Sequence, residues 1–321
     1  MRFSPVRMPL SRLVGWGALA AIGLASSSVA LATDIEPRAY SNIPVGVNFL
    51  LAGYAFTKGN VAFAPSVPIK NGKMEINSTV LAYVRSLDVW GASGKVDIIV
   101  PEVWVSGQAD FLGQPRRRET SGFADPVFRF YVNLYGAPAL SVKEFAAYKQ
   151  DTIIGASLAV SPPGGRYQSD KIVNIGTNRW SIKPEIGLSK AWGPLIAEFA
   201  AGVFVFTDND DQFVPVSASQ GVGVRLEQSP IYALQGHLIY SFGKGIWGAV
   251  DANYYTGGRA TIDGRLSDNL QQNWRVGGTL SFPINRQNSI KLFGNTVVHS
   301  RTGGFFDTVG ITWQYRWGEG L

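Results

Sequence analysis

The chain contains no cysteine among its 321 residues, and charged residues make up only 16% of it. The absence of cysteine excludes disulfides, thiolate chemistry and thiolate metal sites. Soluble globular proteins usually carry about 25% charged residues, so the composition is atypical of that class. Mean hydropathy is nevertheless only +0.05, which excludes a bundle of membrane-spanning helices.

Long hydrophobic runs are also lacking, with one exception near the N-terminus. Three arginines precede the apolar run Leu13–Ala25, and Ala30 and Ala32 have the spacing of a small-residue cleavage motif. This pattern predicts a secretory signal peptide, residues 1–32, that is cut after Ala32. A single anchoring helix is the less favoured alternative, because the run is shorter than the ~20 residues that span a bilayer.

Strong charge of one sign is absent as well. The predicted signal peptide holds three arginines and no acidic residue, so its removal lowers the net charge from +6 to 6 − 3 = +3. A balance this small does not indicate a nucleic-acid partner. The sequence carries no phosphate-binding loop, and we expect no cofactor and no metal site.

Alternation of apolar and polar residues dominates the remaining chain, residues 33–321. In FFDTVGITWQYRW near the C-terminus, Val309, Ile311 and Trp313 alternate with small or polar residues. A period of two predicts strands with one apolar face. The predicted strands cover roughly 45–57, 78–90, 95–107, 123–135, 151–161, 179–190, 194–206, 230–242, 246–256, 273–283, 288–299 and 306–317. A bulge is expected at Pro101, which interrupts the third strand.

The connections between these strands alternate between long and short. Outer-membrane barrels show this rhythm, because short turns face the periplasm and long loops face outward. The fold class is therefore predicted as all-β, a transmembrane antiparallel barrel of about twelve strands in the outer membrane of a Gram-negative bacterium. The apolar rows would face lipid and the polar rows a lumen. A soluble β protein with an aromatic core is the alternative. One connection, residues 136–150, is unexpectedly long and predicted to be partly helical.

Three segments resemble a known family: NIGTNRWSIKPEIGLSK, YALQGHLIYSFGKGIWGAVDANYYTGG and TVGITWQYRWG. The chain is similar to the outer-membrane family named for the meta-pathway of phenol degradation, the MetA-pathway phenol degradation family, grouped with FadL-like transporters. The resemblance covers nearly the whole chain from about Tyr40. It implies a transporter of hydrophobic or aromatic compounds.

The inward rows collect the ionisable side chains at membrane depth, where a basic residue facing lipid would cost ~2–4 kcal/mol. Such side chains either pair and fill a narrow interior or steer a solute, and the sequence leaves both readings open. A twelve-strand lumen is expected to be narrow, and residues 33–44 or inward loops could block it. The candidates for lining the lumen are Arg129, Lys183, Glu185, Glu198, His237, Asp251, Arg275, Lys291, Arg316, Tyr131, Trp247 and Tyr255.

Two predicted outer loops carry clustered charge. Asp208, Asp210 and Asp211 offer oxygen ligands, but the other positions of a calcium-binding loop are missing. A solvated hairpin tip is therefore the favoured interpretation. The basic run 116–118 is a candidate for contact with anionic lipopolysaccharide, and a solvated loop is the alternative.

An outer-membrane phospholipase is the main rival in the enzyme class. Such chemistry needs a serine, a histidine base and an orienting group in register. The chain has only two histidines, His237 and His299, and neither lies in a recognisable nucleophile motif. We therefore predict that the protein is not an enzyme.

The predicted function is passive uptake of small hydrophobic or aromatic compounds. Its predicted partners are outer-membrane lipid, lipopolysaccharide and the solute itself. A structural or adhesive barrel without transport is the second hypothesis.

Overall fold

The computed structural model describes residues 36–61, 69–111, 113–215 and 221–318. The predicted signal peptide lies outside these ranges, so its boundary at residue 32 stays a prediction. Among the described residues, no helix is long and apolar enough to cross a bilayer.

The described part of the chain consists almost entirely of β-strands with one short helix, α1 (Val142–Phe145). The strands are β1 (Asn48–Val61), β2 (Ile69–Val89), β3 (Ala92–Phe111), β4 (Gln114–Phe123), β5 (Val127–Tyr135), β6 (Thr152–Ser161), β7 (Ser181–Trp192), β8 (Leu195–Phe206), β9 (Asn209–Pro215), β10 (Gly221–Gln228), β11 (Ile231–Gly243), β12 (Ile246–Gly257), β13 (Ala260–Ile262), β14 (Arg265–Leu266), β15 (Gln271–Pro283), β16 (Asn288–Ser300) and β17 (Phe305–Trp317).

Twelve strands form a closed antiparallel barrel in the order β1, β2, β3, β5, β6, β7, β8, β11, β12, β15, β16 and β17. The last strand pairs with the first, from Asn48 opposite Trp317 to Asn60 opposite Phe305. Because the sheet is closed, backbone N–H and C=O groups of the first and last strands form hydrogen bonds with each other, which lipid could not provide. All twelve predicted strands are confirmed, although β2 begins nine residues earlier than predicted (69 against 78).

The outer wall of the barrel is apolar. Val309 and Ile311 of β17 are 60% and 44% exposed, whereas Thr308, on the opposite face of the same strand, is buried. The same alternation continues on β11, where Leu234 and Leu238 face outward and His237 faces the interior. The predicted assignment of apolar rows to the outside and polar rows to the lumen is therefore confirmed on these strands.

The two ends of the barrel differ in their connections. One end, here called the turn end, carries the tight turns at 90–91, 193–194 and 244–245. Helix α1 lies in the one long connection at this end, and its N-cap Ser141 forms a capping box with Glu144. The opposite end, the loop end, carries the long connections. Short turns face the periplasm in outer-membrane barrels, so the chain enters β1 from the periplasmic side.

Additional strands at the loop end were not predicted. Strands β9, β10, β13 and β14 form a separate four-stranded sheet. Its small core consists of Val214, Leu226, Ala260 and Ile262, all buried. Strand β4 extends the upper half of β3 into a hairpin. These strands are short and lie within segments that the sequence analysis assigned to long loops, so they were not predicted as strands.

The predicted bulge at Pro101 was wrong. Strand β2 pairs with β3 without interruption through Val80 opposite Pro101, and the register shift lies between Lys70 and Lys73 instead. On its other side β3 changes partner, since β5 pairs up to Ile99 and β4 takes over at Glu102. Proline has no N–H to donate, so it fits at this junction between two partners.

Candidate functional site

The segment before the first strand folds back into the barrel. We call residues 36–44 the strap. Tyr40 is its anchor: the side chain is only 2% exposed, and its hydroxyl donates to Glu185 Oε1 at 2.9 Å. The ring meets the Tyr131 ring edge to face, with centroids 5.8 Å apart. The strap therefore occupies the lumen through buried and directional contacts.

Two glycines on neighbouring strands make room for the anchor. Gly155 of β6 and Gly187 of β7 lie opposite each other in the sheet. A β-carbon added at Gly155 would lie 2.4 Å from Tyr40 Cδ1, and one at Gly187 would lie 2.1 Å from Tyr40 Cε2. Any larger residue at these positions would overlap the ring, so the wall is shaped to accept Tyr40.

Charged groups hold the rest of the strap. The Glu36 carboxylate contacts Arg129 Nη2 and Lys291 Nζ, each at 3.4 Å. Lys95 Nζ donates to the Ala39 carbonyl at 2.7 Å. The positive charge of Lys291 is the main cause that lowers the pKa of Glu36 to about 2. Glu36 is therefore ionised at any physiological pH.

The strap also contacts strands β8 and β12. The backbone N–H of Arg38 donates to Glu198 Oε2 at 2.7 Å, and the Arg38 guanidinium lies 5.5 Å from the centre of the Trp247 ring. Ser189 donates to the other oxygen of Glu198 at 3.1 Å. Contacts on several strands thus hold the strap inside the lumen.

Several predicted lumen residues pair with one another on the wall. His237 Nδ1 lies 2.6 Å from Asp251 Oδ1, and Thr279 donates to the other carboxylate oxygen at 3.0 Å. Lys183 Nζ lies 2.7 Å from Glu185. These contacts agree with the reading in which interior charges pair, and they rigidify the half of the barrel beside the strap.

The remaining candidates lie at different heights. Arg275 and Tyr255 line the cavity described below, and Tyr255 packs in a buried cluster with Phe204 and Ile231. Arg316 lies apart from the group at the turn end, where its Nε donates to the Arg286 carbonyl at 2.7 Å. Its position follows from the chain, because Arg316 is the penultimate residue of β17.

A cavity of about 270 Å³ lies above the strap. Its floor consists of Glu36, Lys95, Asp97, Arg129 and Lys291, and its upper part reaches loop-end residues such as Thr302 and Gly303. One wall is apolar and comes from β2 and β3. Its residues are Ile76, Val80, Ala82, Val84, Ile99, Pro101 and Val103.

Sequence reasoning missed this apolar wall. It assumed that inward rows are polar, whereas β2 and β3 are apolar on both faces. Leu81 and Ile98 point outward and are exposed, while Val80 and Ile99 line the cavity. The poor alternation of these two strands was the sequence signal for the apolar wall. A strand that is apolar on both faces loses its period of two.

The charged outer loops form ion pairs. Arg225 pairs with Asp208, and it lies 3.8 Å from Asp210. In the basic run, Arg117 pairs with Glu119 at 2.5 Å. The predicted hairpin tip at residues 208–211 was wrong, because residues 209–215 form strand β9 and Asn209 is only 1% exposed. Contact of the basic run with lipopolysaccharide stays a prediction.

The two histidines occupy separate settings. His237 is buried in the lumen wall beside Asp251, whereas His299 lies on β16 and is exposed. The hydroxyl of the adjacent Ser300 bonds to the Asn273 side chain at 2.9 Å. The interior thus offers a closed wall, an apolar cavity and a floor of three cations and two carboxylates.

Comparisons with known proteins agree with this architecture. A family model described as "Putative MetA-pathway of phenol degradation" matches residues 55–315. No curated protein matches the chain. An outer membrane channel from Pseudomonas putida F1 is 20% identical, with a TM-score of 0.73 over 88% of this chain and 100% of that one.

Two autotransporter domains are more distant. The beta domain of the Bordetella autotransporter BrkA is 7% identical over 85% of this chain and 100% of that one, with a TM-score of 0.51. The transport unit of AIDA-I from Escherichia coli is 9% identical over 92% and 98%, also with a TM-score of 0.51. With the apolar outer wall, the shared barrel fold places the chain in an outer membrane, as predicted.

Proposed function

Because the chain belongs to the MetA-pathway phenol degradation family, we propose that it is an outer-membrane channel for passive uptake of small hydrophobic or aromatic compounds. The observation that carries the proposal is the apolar wall formed by Val80, Ile99 and Val103 inside the lumen. A barrel that only stabilised the envelope would gain nothing from an apolar surface facing an internal cavity.

Physical chemistry supplies the reason for such a channel. Apolar solutes partition into hydrocarbon but cross the polar, charged lipopolysaccharide layer poorly. An apolar strip gains about 25 cal/mol for each Å² of solute surface removed from water. The cavity reaches the loop end at Thr302 and Gly303, so a solute could leave the outer layer and lie against this strip.

The strap favours the alternative of a barrel without transport. Tyr40 and its neighbours lie across the lumen, and passage toward the turn end requires the strap to move or the solute to pass beside it. The two readings differ in whether solutes cross at all, so a flux measurement separates them.

The test is uptake by intact cells, because their lipopolysaccharide layer is the proposed barrier. Cells that contain the barrel should accumulate labelled benzyl alcohol faster than cells without it. Equal initial rates in the two kinds of cell would contradict the channel proposal and favour the structural barrel. Electrophoretic mobility before and after heating would show that the barrel is folded in the cells that contain it.

We extend the proposal to the absence of enzymatic activity. It is supported by the partners of two serine hydroxyls: Ser300 bonds Asn273 and Ser189 bonds Glu198, so neither serves as a nucleophile paired with His237. Purified barrel should release no fatty acid from phospholipid vesicles. Hydrolysis that disappears on His237→Ala would contradict this part of the proposal.

A further inference from the structure

We propose that the floor of the cavity is an anion subsite and that the transported solutes include small carboxylates with an apolar, aromatic-sized body. When the strap is docked in the lumen, the carboxylate of Glu36 occupies this subsite. The strap and the solute therefore compete for the same cations. This inference rests on the proposed channel function and names its substrate class.

The geometry of Glu36 is that of an internal ligand. One carboxylate oxygen contacts Arg129 of β5 and the other contacts Lys291 of β16, each at 3.4 Å. Four strands, β17, β1, β2 and β3, separate β5 from β16 around the barrel. The two cations therefore come from different parts of the wall, and a single carboxylate bridges them inside the lumen.

The distances show that Glu36 is held loosely. Charge-assisted N–H···O bonds usually measure about 2.7–2.9 Å, whereas both contacts of Glu36 are 3.4 Å. By contrast, Arg129 Nε approaches Asp97 to 2.9 Å. The Glu36 and Lys291 side chains remain 39% and 24% exposed, so a competing carboxylate can reach them from the cavity.

The charge balance favours an incoming anion. The ionisable residues that line the cavity are Glu36, Lys95, Asp97, Arg129, Arg275 and Lys291, which gives 4 − 2 = +2. If Glu36 leaves, the balance becomes 4 − 1 = +3. Within a low-dielectric barrel such an excess attracts a carboxylate more strongly than it would in water, and a carboxylate that replaces Glu36 restores the original balance.

The rest of the site selects the body of the solute. The apolar wall of β2 and β3 borders the same cavity as the cations. The cavity of about 270 Å³ lies near the lower limit of small-molecule sites, roughly 300 Å³. A solute with a carboxylate bound at the floor and one aromatic ring packed against Ile99 and Val80 would contact both surfaces. A long acyl chain would exceed the volume of the cavity.

Calorimetry on the full barrel in detergent micelles tests this inference. The probes are 3-phenylpropionate and 3-phenylpropan-1-ol, which share a body and differ in charge. Wild type should prefer the acid. Glu36→Gln should tighten binding of the acid by about tenfold, because the internal competitor is gone, and should leave the alcohol unchanged.

Two further variants make the result specific. Glu36→Gln combined with Lys291→Met should remove the preference for the acid while the alcohol still binds. Glu119→Gln on β4, which removes an exposed carboxylate, should bind both probes as wild type does. Heat-dependent mobility on gels would confirm that each variant is folded.

The outcomes separate this inference from the channel proposal. Equal affinities for acid and alcohol in Glu36→Gln, or an affinity for the acid that the substitution does not change, would overturn the anion subsite. Faster uptake of benzyl alcohol by barrel-containing cells would still support the channel in that case. Loss of that uptake would overturn the channel itself.

Discussion

Tyr40 fills the space that any side chain at Gly187 would need, since a β-carbon there would lie 2.1 Å from Tyr40 Cε2. The two residues come from the strap and from strand β7, 147 positions apart in the chain (187 − 40). The wall lacks a side chain at the place where the strap inserts its aromatic ring, so the two surfaces are complementary. This contact is one of those that hold the strap in the lumen.

Gly187→Ala should therefore expel the ring. The overlap involves ring atoms that the Glu185 hydrogen bond holds in place, and overpacking of this kind costs about 1–3 kcal/mol. We expect the undocked strap to become about tenfold more populated and the channel in planar bilayers to open more often. Gly236→Ala is the matched control, because nothing lies within 4 Å of a β-carbon there. Identical open probabilities for the two variants would contradict the anchoring role.

The docked strap should tolerate mild acid. Lys291 is the main cause that lowers the pKa of Glu36 from 4.5 to about 2, while Arg129 and Lys95 act in the same direction. A carboxyl whose pKa is lowered by docking stabilises the docked state fully above pH 4.5 and loses that contribution as pH falls through 2. Conductance should therefore stay constant from pH 7 to 5 and rise below 4.5. In Glu36→Gln this part of the pH response should vanish, and a rise of the same size would refute its assignment to Glu36.

Val80→Asn should slow uptake of neutral aromatic solutes. The substitution replaces two methyl groups of the apolar wall with an amide, which removes about 1.5 kcal/mol of apolar contact. We expect the rate for benzyl alcohol in intact cells to fall by about tenfold at equal barrel content. Thr79→Asn is the control, since its side chain is exposed on the outside of β2. An equal loss in both variants would show that the wall does not contribute to passage.

Asp251→Ala should destabilise the barrel. Asp251 is 1% exposed and bonds both His237 and Thr279, so its loss leaves two buried polar groups without their partner. Removing one member of a buried pair costs about 3–5 kcal/mol. Urea titration in lipid vesicles, followed by tryptophan fluorescence, would measure the free energy of unfolding. Asp268→Ala at an exposed loop pair should change it by less than about 1 kcal/mol.

The barrel itself could be predicted from the sequence because strand patterning is local. A strand shows its orientation in five or six consecutive residues, as from Val309 to Trp313, and lipid on one side imposes the pattern. The same reasoning failed at β2 and β3, where both faces are apolar. It also missed strands β9 and β10, whose pairing is set by the separate small sheet rather than by the bilayer.

The sequence by itself determined that this chain is a twelve-strand barrel and, on the strands that alternate, which rows face lipid. Only the tertiary structure decided which charges meet inside it, because Glu36 lies on the strap, outside every predicted strand. Glu36 and Lys291 are 255 positions apart, and their contact depends on closure of the barrel and on the path of the strap. The alternation of apolar and polar residues indicates which environment lies on each side of a strand. Contacts across a lumen depend instead on strand order and register around the whole barrel.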